Sequence, residues 1–285
     1  MGTQVNLFSL YYSAYFNFVK MQSSGNDFIL CYRNKIDLTP DRVRFLCNRR
    51  LGVGCDQILS IEGHEENKIQ IRIYNQDGST ARNCVNGLCA VMSHFFNYHT
   101  AYEECVVTYL HADGDLSFKG KADYTSGKIH IEIPSVLVKY DNGEEYIDIG
   151  NLHKVVVKES GVASFPLDVD ERADEKFNVN YIKVIGDKKI GVTTVERGAG
   201  KTLSCGSGSC ASAVYAVHNG LIEGNVVEVV SEGTEAVMSI DSSDEQGISI
   251  RCNKIGENEY SVIYESNSLE SFVGNLPLDR IRQLP

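Results

Sequence analysis

Two segments of the chain alternate between apolar and polar positions, and they occupy corresponding places in its two halves. Residues 69–74 read Ile-Gln-Ile-Arg-Ile-Tyr, and residues 190–195 read Ile-Gly-Val-Thr-Thr-Val. A period of two predicts a strand with one buried face. In each half a glycine-containing loop follows the strand, and a helix-compatible stretch follows the loop, at 88–98 and 210–219. The sequence therefore predicts the same strand–loop–helix unit twice.

Further strands and one short helix accompany these units. The short helix of the first half is expected to begin at Thr39-Pro40, because proline favours the first helical position, and to stop at Gly52. The connections between strands are short, which favours antiparallel pairing. We therefore predict two similar α+β halves, residues 1–133 and 134–271. The additional strands are predicted at 106–110, 116–119, 129–133, 226–230, 236–240, 248–252 and 260–264.

The start of each long predicted helix carries the same cysteine motif. Cys84-Val-Asn-Gly-Leu-Cys89-Ala and Cys205-Gly-Ser-Gly-Ser-Cys210-Ala share the pattern C-x-[NS]-G-x-C-A and lie 121 residues apart (205 minus 84). A repeat of this kind indicates two structurally similar units. The first cysteine of each motif stands at the helix start. Five residues turn a helix by about 500°, so Cys89 and Cys210 are expected on the buried faces.

A cysteine at a helix start has particular chemistry. The helix N-terminus presents unpaired N–H groups and about half a positive charge, which favour a thiolate and can hold a carboxylate. Such surroundings lower the pKa of cysteine from about 8.5 towards roughly 3.5–7.5. Two such cysteines, related by the repeat, can face each other across a cleft. Cys84 and Cys205 then suit a stereoinversion, in which one group removes a proton from one face of a carbon and the other returns it to the opposite face.

Two other roles for the cysteines stay open from the residues alone. Two C-x4-C pairs are a candidate structural zinc site, although two intervening residues is the common spacing. Free cysteine is also commonly buried, so all four could be inert core residues. A phosphate-binding loop is disfavoured, because the segment from Gly198 to Thr202 is preceded by Val195 where the motif requires its first glycine.

Charge and composition narrow the class of protein. The chain has 38 acidic and 27 basic residues, a formal net charge of −11, and a surface this acidic repels phosphate backbones, so no nucleic-acid partner is expected. No apolar run approaches the length of a membrane span, so no membrane association is expected. The nine cysteines, together with the lack of a recognisable signal peptide, favour free thiols in a reducing cytoplasm. We therefore expect a cytoplasmic protein with a small-molecule partner.

Four segments of the chain form a recognisable set: Ser24-Gly-Asn-Asp-Phe28, Gly52-Val-Gly-Cys-Asp-Gln57, Tyr74-Asn-Gln-Asp-Gly-Ser79 with Cys84-Val-Asn-Gly87, and Glu196-Arg-Gly-Ala-Gly200 with Cys205-Gly-Ser-Gly-Ser-Cys210. In order and spacing, from about Phe18 to the C-terminus, they resemble diaminopimelate epimerases. The resemblance implies interconversion of LL- and meso-diaminopimelate, an amino acid of bacterial lysine and peptidoglycan synthesis, with neither pyridoxal phosphate nor a metal. It also implies an α+β fold of two pseudo-symmetric domains, each a mainly antiparallel, barrel-like sheet around a central helix, with the C-terminal strand 272–285 returning to the first domain.

The resemblance also implies roles for individual residues. Cys84 and Cys205 take the places of the family's two catalytic cysteines, and His153 and Glu196 those of residues that help the cysteines to exchange protons. Arg197 matches an arginine that can grip a distal carboxylate in a bidentate way. The implied substrate-binding positions are Asn26, Gln57, Asn75, Val85, Asn86, Asn151, Asn178, Glu196, Arg197, Gly206 and Ser207.

The sequence departs from the family pattern at several places that border these residues. Val85 stands where the family has glycine, and a β-branched side chain there restricts the backbone and takes up space beside the substrate. Leu152 replaces a proline, and Gln22-Ser-Ser24 replaces a His-Gly-Leu run. These departures raise a second hypothesis, a broader amino-acid racemase that acts on glutamate, aspartate or a hydroxyproline. A homodimer is compatible with the sequence.

Overall fold

The computed structural model describes residues 14–33, 36–158, 167, 169–172, 174–197, 200–240 and 247–283, which form seventeen strands and five helices. The first half contains β1 (Tyr15–Ser23), β2 (Asn26–Tyr32), α1 (Pro40–Cys47), β3 (Gln57–Glu65), β4 (Lys68–Asn75), β5 (Thr80–Ala81), α2 (Val85–Tyr98), β6 (Glu104–Tyr109), β7 (Leu116–Asp123) and β8 (Lys128–Asp141). The remaining elements are β9 (Glu144–Asp148), β10 (Leu152–Val157), β11 (Asn178–Gly186), β12 (Lys189–Glu196), β13 (Gly200–Thr202), α3 (Gly206–His218), β14 (Val226–Val230), α4 (Glu232–Ile240), β15 (Ile248–Gly256), β16 (Glu259–Ser266), β17 (Leu269–Pro277) and α5 (Leu278–Arg282).

The two halves use the same series of strand pairings. In the first half, β1–β2 is antiparallel, β2–β3 parallel, β3–β4 antiparallel, β4–β6 parallel, and β6–β7 and β7–β8 are antiparallel. The second half repeats this series with β9–β10, β10–β11, β11–β12, β12–β14, β14–β15 and β15–β16. Parallel pairs occur where a helix or a long segment separates the strands, because parallel neighbours need a crossover connection. The predicted α+β fold with two pseudo-symmetric, mainly antiparallel halves is confirmed.

Strand β8 takes part in both halves. It pairs with β7 near its start, with β9 near its end, and with β16 along both parts. As a result, β8–β12 and β14–β16 form a closed barrel of eight strands around α3. The last strand, β17, pairs with β1 in the first half. β8 also runs through residue 134, the expected boundary between the halves, without a break.

The two central helices, α2 and α3, form the inner layer of the fold. In α2 every residue from 85 to 96 is buried, and α3 is buried over most of its length. A helix that is apolar on all sides is stable only inside a protein, and here the sheet encloses it. Cys89 and Cys210 are fully buried in this core, as predicted.

Strand β4 alternates between buried and exposed positions, as predicted. Strand β12 is buried at every position from 190 to 195, so the prediction of one exposed face is wrong there. Thr194 bonds to Asn180, and Thr193 on the other face accepts the N–H of Leu167.

Helix α4 lies where a strand was predicted at 236–240. The Thr234 N–H donates to Ser231 Oγ at 3.2 Å, and the Ser231 N–H donates to Thr234 Oγ1 at 2.7 Å. This reciprocal pair acts as a capping box, and Glu232 and Glu235 place negative charge in the first turn, where the helix dipole favours it. The strand prediction is therefore wrong, because these start signals outweigh the apolar pattern of the segment.

Two other boundaries differ from expectation. Helix α1 ends at Cys47, before the expected stop at Gly52, because Asn48 leaves the helical conformation and its side chain accepts the N–H groups of Arg50 and Leu51. Part of the aromatic N-terminal segment belongs to β1, where Phe16 is fully buried. Residues 198 and 199 of the expected loop before Cys205 lie outside the described residues. None of the described helices is both long and apolar enough to span a membrane.

Candidate active site

The first cysteine of each repeat occupies the N-cap of a central helix. Cys84 Sγ accepts the N–H of Gly87 at 3.3 Å, and Cys205 Sγ accepts the N–H of Gly208 at 3.4 Å. Each thiol thus takes the place of the serine or aspartate oxygen that usually caps a helix. The helical N–H ladder begins at Leu88, which donates to Cys84 O, and at the corresponding residue of α3. The N–H groups of the first two residues of each helix remain outside this ladder.

The starts of α2 and α3 abut each other. A methyl group placed on Gly206 would lie 2.6 Å from Asn86 Oδ1, 2.9 Å from Val85 Cβ and 3.1 Å from the Asn86 backbone nitrogen. Only glycine therefore fits at 206 without a shift of the opposite helix. Because the two positive helix ends converge, N–H groups from both halves can hold one carboxylate.

The surroundings of Cys84 are built by strands of the first half. Asn26 Oδ1 lies 3.9 Å from the Cys84 sulfur, and Asn26 Nδ2 donates to Asp56 Oδ2 at 2.7 Å. Gln57 and Asn75 stand opposite each other on β3 and β4, and Gln57 Nε2 donates to Asn75 Oδ1 at 2.9 Å. The structure thus places Asn26 beside Cys84 and joins Gln57 to Asn75.

The surroundings of Cys205 come from the second half. Ser207 Oγ lies 3.5 Å from Cys205 Sγ, and two side chains contact this hydroxyl: Asn151 Nδ2 at 3.2 Å and His153 Nε2 at 3.1 Å. Glu196 lies close enough to Cys205 for each group to affect the pKa of the other, and its carboxylate accepts a hydrogen bond from Thr202 Oγ1 at 2.6 Å. Four of the residues expected at the site, at positions 151, 153, 196 and 207, therefore surround the second cysteine.

Asn178 and Arg197 lie together next to Glu196. The backbone N–H of Arg197 donates to Asn178 Oδ1 at 2.9 Å, and the Arg197 side chain is exposed. Burial raises the pKa of Glu196 above the usual range of a carboxyl. Glu196 and Arg197 therefore offer a partly buried carboxyl beside Cys205 and an exposed guanidinium at the rim.

Burial opposes the effect of the helix starts on both thiols. Burial raises the pKa of Cys84 to about 12, and the N–H groups of Gly87 and Asn86 lower it only in part. Burial also raises the pKa of Cys205 well above its usual value, and the charge of Glu196 raises it further. The expectation that both sites favour a thiolate is wrong for this structure, because desolvation penalises the charged form more than the helix ends stabilise it.

Two buried amide oxygens in the site have no hydrogen-bond partner among the described residues. They are Gln57 Oε1 and Asn151 Oδ1. Both side chains are held through their nitrogen atoms, Gln57 by Asn75 and Asn151 by Ser207. Free buried acceptors are costly unless a ligand donates to them, and an ammonium group carries three N–H donors. The site is therefore suited to an amino group as well as a carboxylate.

The described residues include no group of three or more histidine, cysteine, aspartate or glutamate side chains that could hold a metal ion. Cys89 and Cys210, the second cysteines of the two motifs, are enclosed by the apolar core. The structure therefore offers no support for a zinc site built from the two C-x4-C pairs.

The side chain of Val85 packs at the junction of the two helices. It is 1% exposed, and its Cβ lies where a side chain on Gly206 would otherwise be. Val85 and Gly206 follow the two cysteines at equivalent places of the repeat, so the valine of one half fills the space left by the glycine of the other. The sequence did not show this complementarity, because it depends on how the halves meet.

Replacing Val85 by glycine is expected to destabilise the protein. The variant loses a buried side chain and adds backbone freedom at a helix start, which together lower the free energy of unfolding by about 2–3 kcal/mol. Urea unfolding of the wild type and of Val85→Gly measures the difference. Val19→Ala, a partly buried position on β1, serves as a smaller truncation for comparison. Equal stability of Val85→Gly and wild type would contradict the packing role.

His153 is expected to make the stability of the protein depend on pH. Burial lowers its pKa from 6.5 to about 4. Between these values the unfolded chain binds a proton and the folded chain does not, so stability falls as the pH falls through this window, by about 1.4 kcal/mol per pH unit. Urea unfolding at several pH values should show that His153→Gln lacks this contribution. Parallel stability curves for the variant and the wild type would contradict the prediction.

Asn180 is a site residue that sequence reasoning did not select. It is fully buried, and its side chain contacts His153 and Thr194. A signal was present, because Asn178 and Asn180 are two residues apart and therefore lie on the same face of β11. Asp56 was also passed over, although it adjoins Gln57 and holds Asn26.

Solved structures show the class of fold. A protein described as a predicted epimerase, from Pseudomonas aeruginosa, matches with a TM-score of 0.66 at 12% identity, and the match covers 92% of this chain and 99% of that one. A hydroxyproline epimerase from Agrobacterium vitis matches with a TM-score of 0.62 at 10% identity, over 92% of this chain and 91% of that one. At such identities the likeness concerns the fold, which is one that epimerases use.

Sequence comparison shows the family. The family model described as diaminopimelate epimerase matches residues 18–144 and 136–254. The diaminopimelate epimerase of Coxiella burnetii is 32% identical over 239 residues, which are 74% of this chain and 86% of that protein. That of Thioalkalivibrio sulfidiphilus is 30% identical over 289 residues, 92% of this chain and 99% of that protein. The chain belongs to the diaminopimelate epimerase family, as the resemblance predicted, and it is an isomerase.

Proposed function

We propose that the protein interconverts LL- and meso-diaminopimelate by moving the α-proton between Cys84 and Cys205, without a cofactor. The observation that carries the proposal is the pair of cysteine N-caps on two helix starts that abut each other. A carboxylate held by the N–H groups of both helix starts brings the α-carbon close to both sulfur atoms. One thiolate then removes the proton from one face, and the opposite thiol delivers a proton to the other face.

In this proposal the protein binds both the α-ammonium group and the distal carboxylate of the substrate. The α-ammonium donates to the free oxygens of Gln57 and Asn151. The distal carboxylate of diaminopimelate pairs with the exposed guanidinium of Arg197, beside Asn178. A substrate with a single carboxylate would leave the guanidinium of Arg197 without this partner.

The reaction requires one thiol and one thiolate, so a proton has to leave one cysteine. Glu196 lies beside Cys205, and its own raised pKa makes it a better proton acceptor than an ordinary carboxylate. Glu196 therefore accepts the proton of Cys205 when Cys205 acts as the base. The N–H donors of the bound substrate's ammonium group stabilise the negative charge that this transfer leaves on the sulfur of Cys205. After turnover Cys205 carries the α-proton of the substrate and Cys84 is a thiolate, so the proton held by Glu196, whose charge also acts on Cys84, returns the site to its starting state by protonating Cys84.

The test is hydrogen exchange with an amino-acid panel. Purified protein without added cofactor is incubated in D2O with LL-diaminopimelate, meso-diaminopimelate, glutamate, aspartate and trans-4-hydroxyproline, and loss of the α-proton signal is followed by NMR. Exchange and inversion are expected for the two diaminopimelate isomers. Faster inversion of another member of the panel would favour the broader racemase instead, and absence of exchange with every member would reject the proposal.

A further inference from the structure

A chain of buried hydrogen bonds leads from the backbone of β10 to Cys205. The carbonyl of Lys154 can only accept, so the atom of Asn180 that lies 3.4 Å from it is the amide nitrogen. The same nitrogen lies 3.0 Å from His153 Nδ1. At the other end of the amide, Thr194 Oγ1 donates to Asn180 Oδ1 at 3.0 Å. Partners at both ends therefore fix the orientation of the Asn180 amide.

The orientation of this amide determines the tautomer of His153. Nδ1 faces an N–H donor and has to accept, and burial lowers the pKa of the ring to about 4, so the ring is neutral. The single ring hydrogen is therefore on Nε2, which donates to Ser207 Oγ at 3.1 Å. Asn151 Nδ2 donates to the same oxygen at 3.2 Å. With both lone pairs engaged, the hydroxyl hydrogen of Ser207 is directed to the sulfur of Cys205, 3.5 Å away.

We propose that Asn180 is a positioning residue for proton transfer at Cys205: it selects the His153 tautomer in which Ser207 donates to the Cys205 sulfur. The inference rests on the proposed function and deepens it. A sulfur that accepts a hydrogen bond carries negative charge more readily, so this series of hydrogen bonds favours the thiolate form of Cys205.

The site around Cys84 lacks the matching hydroxyl in its repeat. The position that corresponds to Ser207 is Asn86, whose amide bonds to Ser204 Oγ and accepts from Tyr264 OH. The sulfur of Cys84 instead lies 3.9 Å from Asn26 Oδ1, an acceptor. The sulfur atoms of the two cysteines therefore have different hydrogen-bond partners, and the series of hydrogen bonds that begins at Asn180 reaches Cys205 and not Cys84.

Close packing keeps this chain in place. Gly208 lies in the first turn of α3, and a side chain there would collide with Asn180 Oδ1 and with Thr194 Oγ1. Asn180 and His153 are both fully buried. If the buried amide turned over, its nitrogen and oxygen would each lose a hydrogen bond, and each unpaired atom would cost its full desolvation free energy. This cost holds the amide in the observed orientation.

The tautomer can be measured without substrate. Asn180→Asp keeps the size of the side chain but replaces the donor with an acceptor, so His153 Nδ1 has to carry the hydrogen and Nε2 becomes the acceptor. Two-bond 1H–15N spectra of protein labelled in histidine, recorded at alkaline pH, should show Nε2–H in the wild type and Nδ1–H in the variant. His153→Gln identifies the signals among the seven histidines. An unchanged tautomer in Asn180→Asp would overturn the proposal.

Kinetic coupling separates positioning from a merely structural role. Asn180→Asp should slow inversion about ten- to hundredfold, as the loss of a ring-orienting hydrogen bond does elsewhere. Thr194→Val, which removes one support of the amide, should have a smaller effect. In a Ser207→Ala background, Asn180→Asp should cause no further loss, because the link to Cys205 is already broken. Equal losses in both backgrounds would show that Asn180 does not act through Ser207.

Asn253→Asp is the matched control. Asn253 lies on the surface strand β15, where its side chain contacts Asn225, and the change adds the same charge without affecting inversion. Failure of the proposed function would be seen separately, as a lack of diaminopimelate turnover in the wild type, since the NMR measurement reads the tautomer whether or not turnover occurs.

Discussion

Replacing either Cys84 or Cys205 by serine is expected to lower the rate of diaminopimelate inversion by about a thousandfold or more, because each replacement removes one of the two groups that transfer the proton. Serine is a good helix N-cap, so both variants should keep the hydrogen bonds to Gly87 and Gly208 and remain folded. The serine hydroxyl is far less acidic than a thiol and is a poor substitute in proton transfer. Inversion is measured by circular dichroism or chiral chromatography from each isomer.

The second cysteine of each motif supplies matched controls for this experiment. Cys89→Ala and Cys210→Ala change the same helices but only in the core, and both should retain the rate of inversion. The single serine variants should also differ in exchange with D2O, since the remaining cysteine can reach only one face of the α-carbon. Each variant should therefore exchange the α-proton of one isomer faster than that of the other. Inversion at the wild-type rate in either serine variant would rule out the two-cysteine mechanism.

Replacing Gly206 by alanine is expected to have the next largest effect. The added methyl group would lie 2.6 Å from Asn86 Oδ1 and 2.9 Å from Val85 Cβ, so the two helix starts have to move apart. A displacement of about 1 Å in the positioning of a substrate can cost about a hundredfold in rate. Steady-state kinetics should show a loss in kcat as well as a raised KM, because the carboxylate is no longer held by both helices.

Gly247→Ala is the comparison for this prediction. Among the described residues, no heavy atom lies within 4 Å of a methyl group placed on Gly247, so the change tests the effect of an added side chain without a collision with them. It should leave activity unchanged. Wild-type kinetics for Gly206→Ala would mean that the helix starts can adjust without cost, and would contradict the proposed carboxylate site.

The repeat in the sequence predicted the centre of the molecule because local patterns encode it. The alternation at 69–74 reports the one buried face of β4, and the duplicated motif predicts two equivalent helices. The corresponding segment 190–195 is a strand as predicted, but it is buried on both faces. Sequence reasoning also placed Cys89 and Cys210 in the core, since that follows from the rotation per residue along a helix. These features depend on neighbours along the chain.

Other features depend on contacts between distant residues and could not be predicted. The acidity of Cys84 depends on how deeply the folded protein buries it, and burial reverses the expectation drawn from the helix start alone. The hydrogen bonds around Asn180 join residues of β10, β11, β12 and α3. The packing of Val85 against Gly206 requires the relation between the halves. In each case the property of the residue is set by a contact with a different helix or strand, which local sequence patterns do not show.

Strand β8 makes the two halves inseparable as folding units. Its fourteen residues run through position 134 and pair with β7, β9 and β16. A cut at position 134 would therefore divide the strand, and both fragments would expose unpaired backbone groups. Residues 15–22 would also lose their pairing with β17, which follows the second half in the chain, and only residues 19–22 would keep a neighbouring strand, β2. Separately expressed halves should therefore aggregate, and co-expression of the two fragments is the condition under which they can assemble. The two copies of the repeat share strands, so neither copy forms a complete sheet without the other.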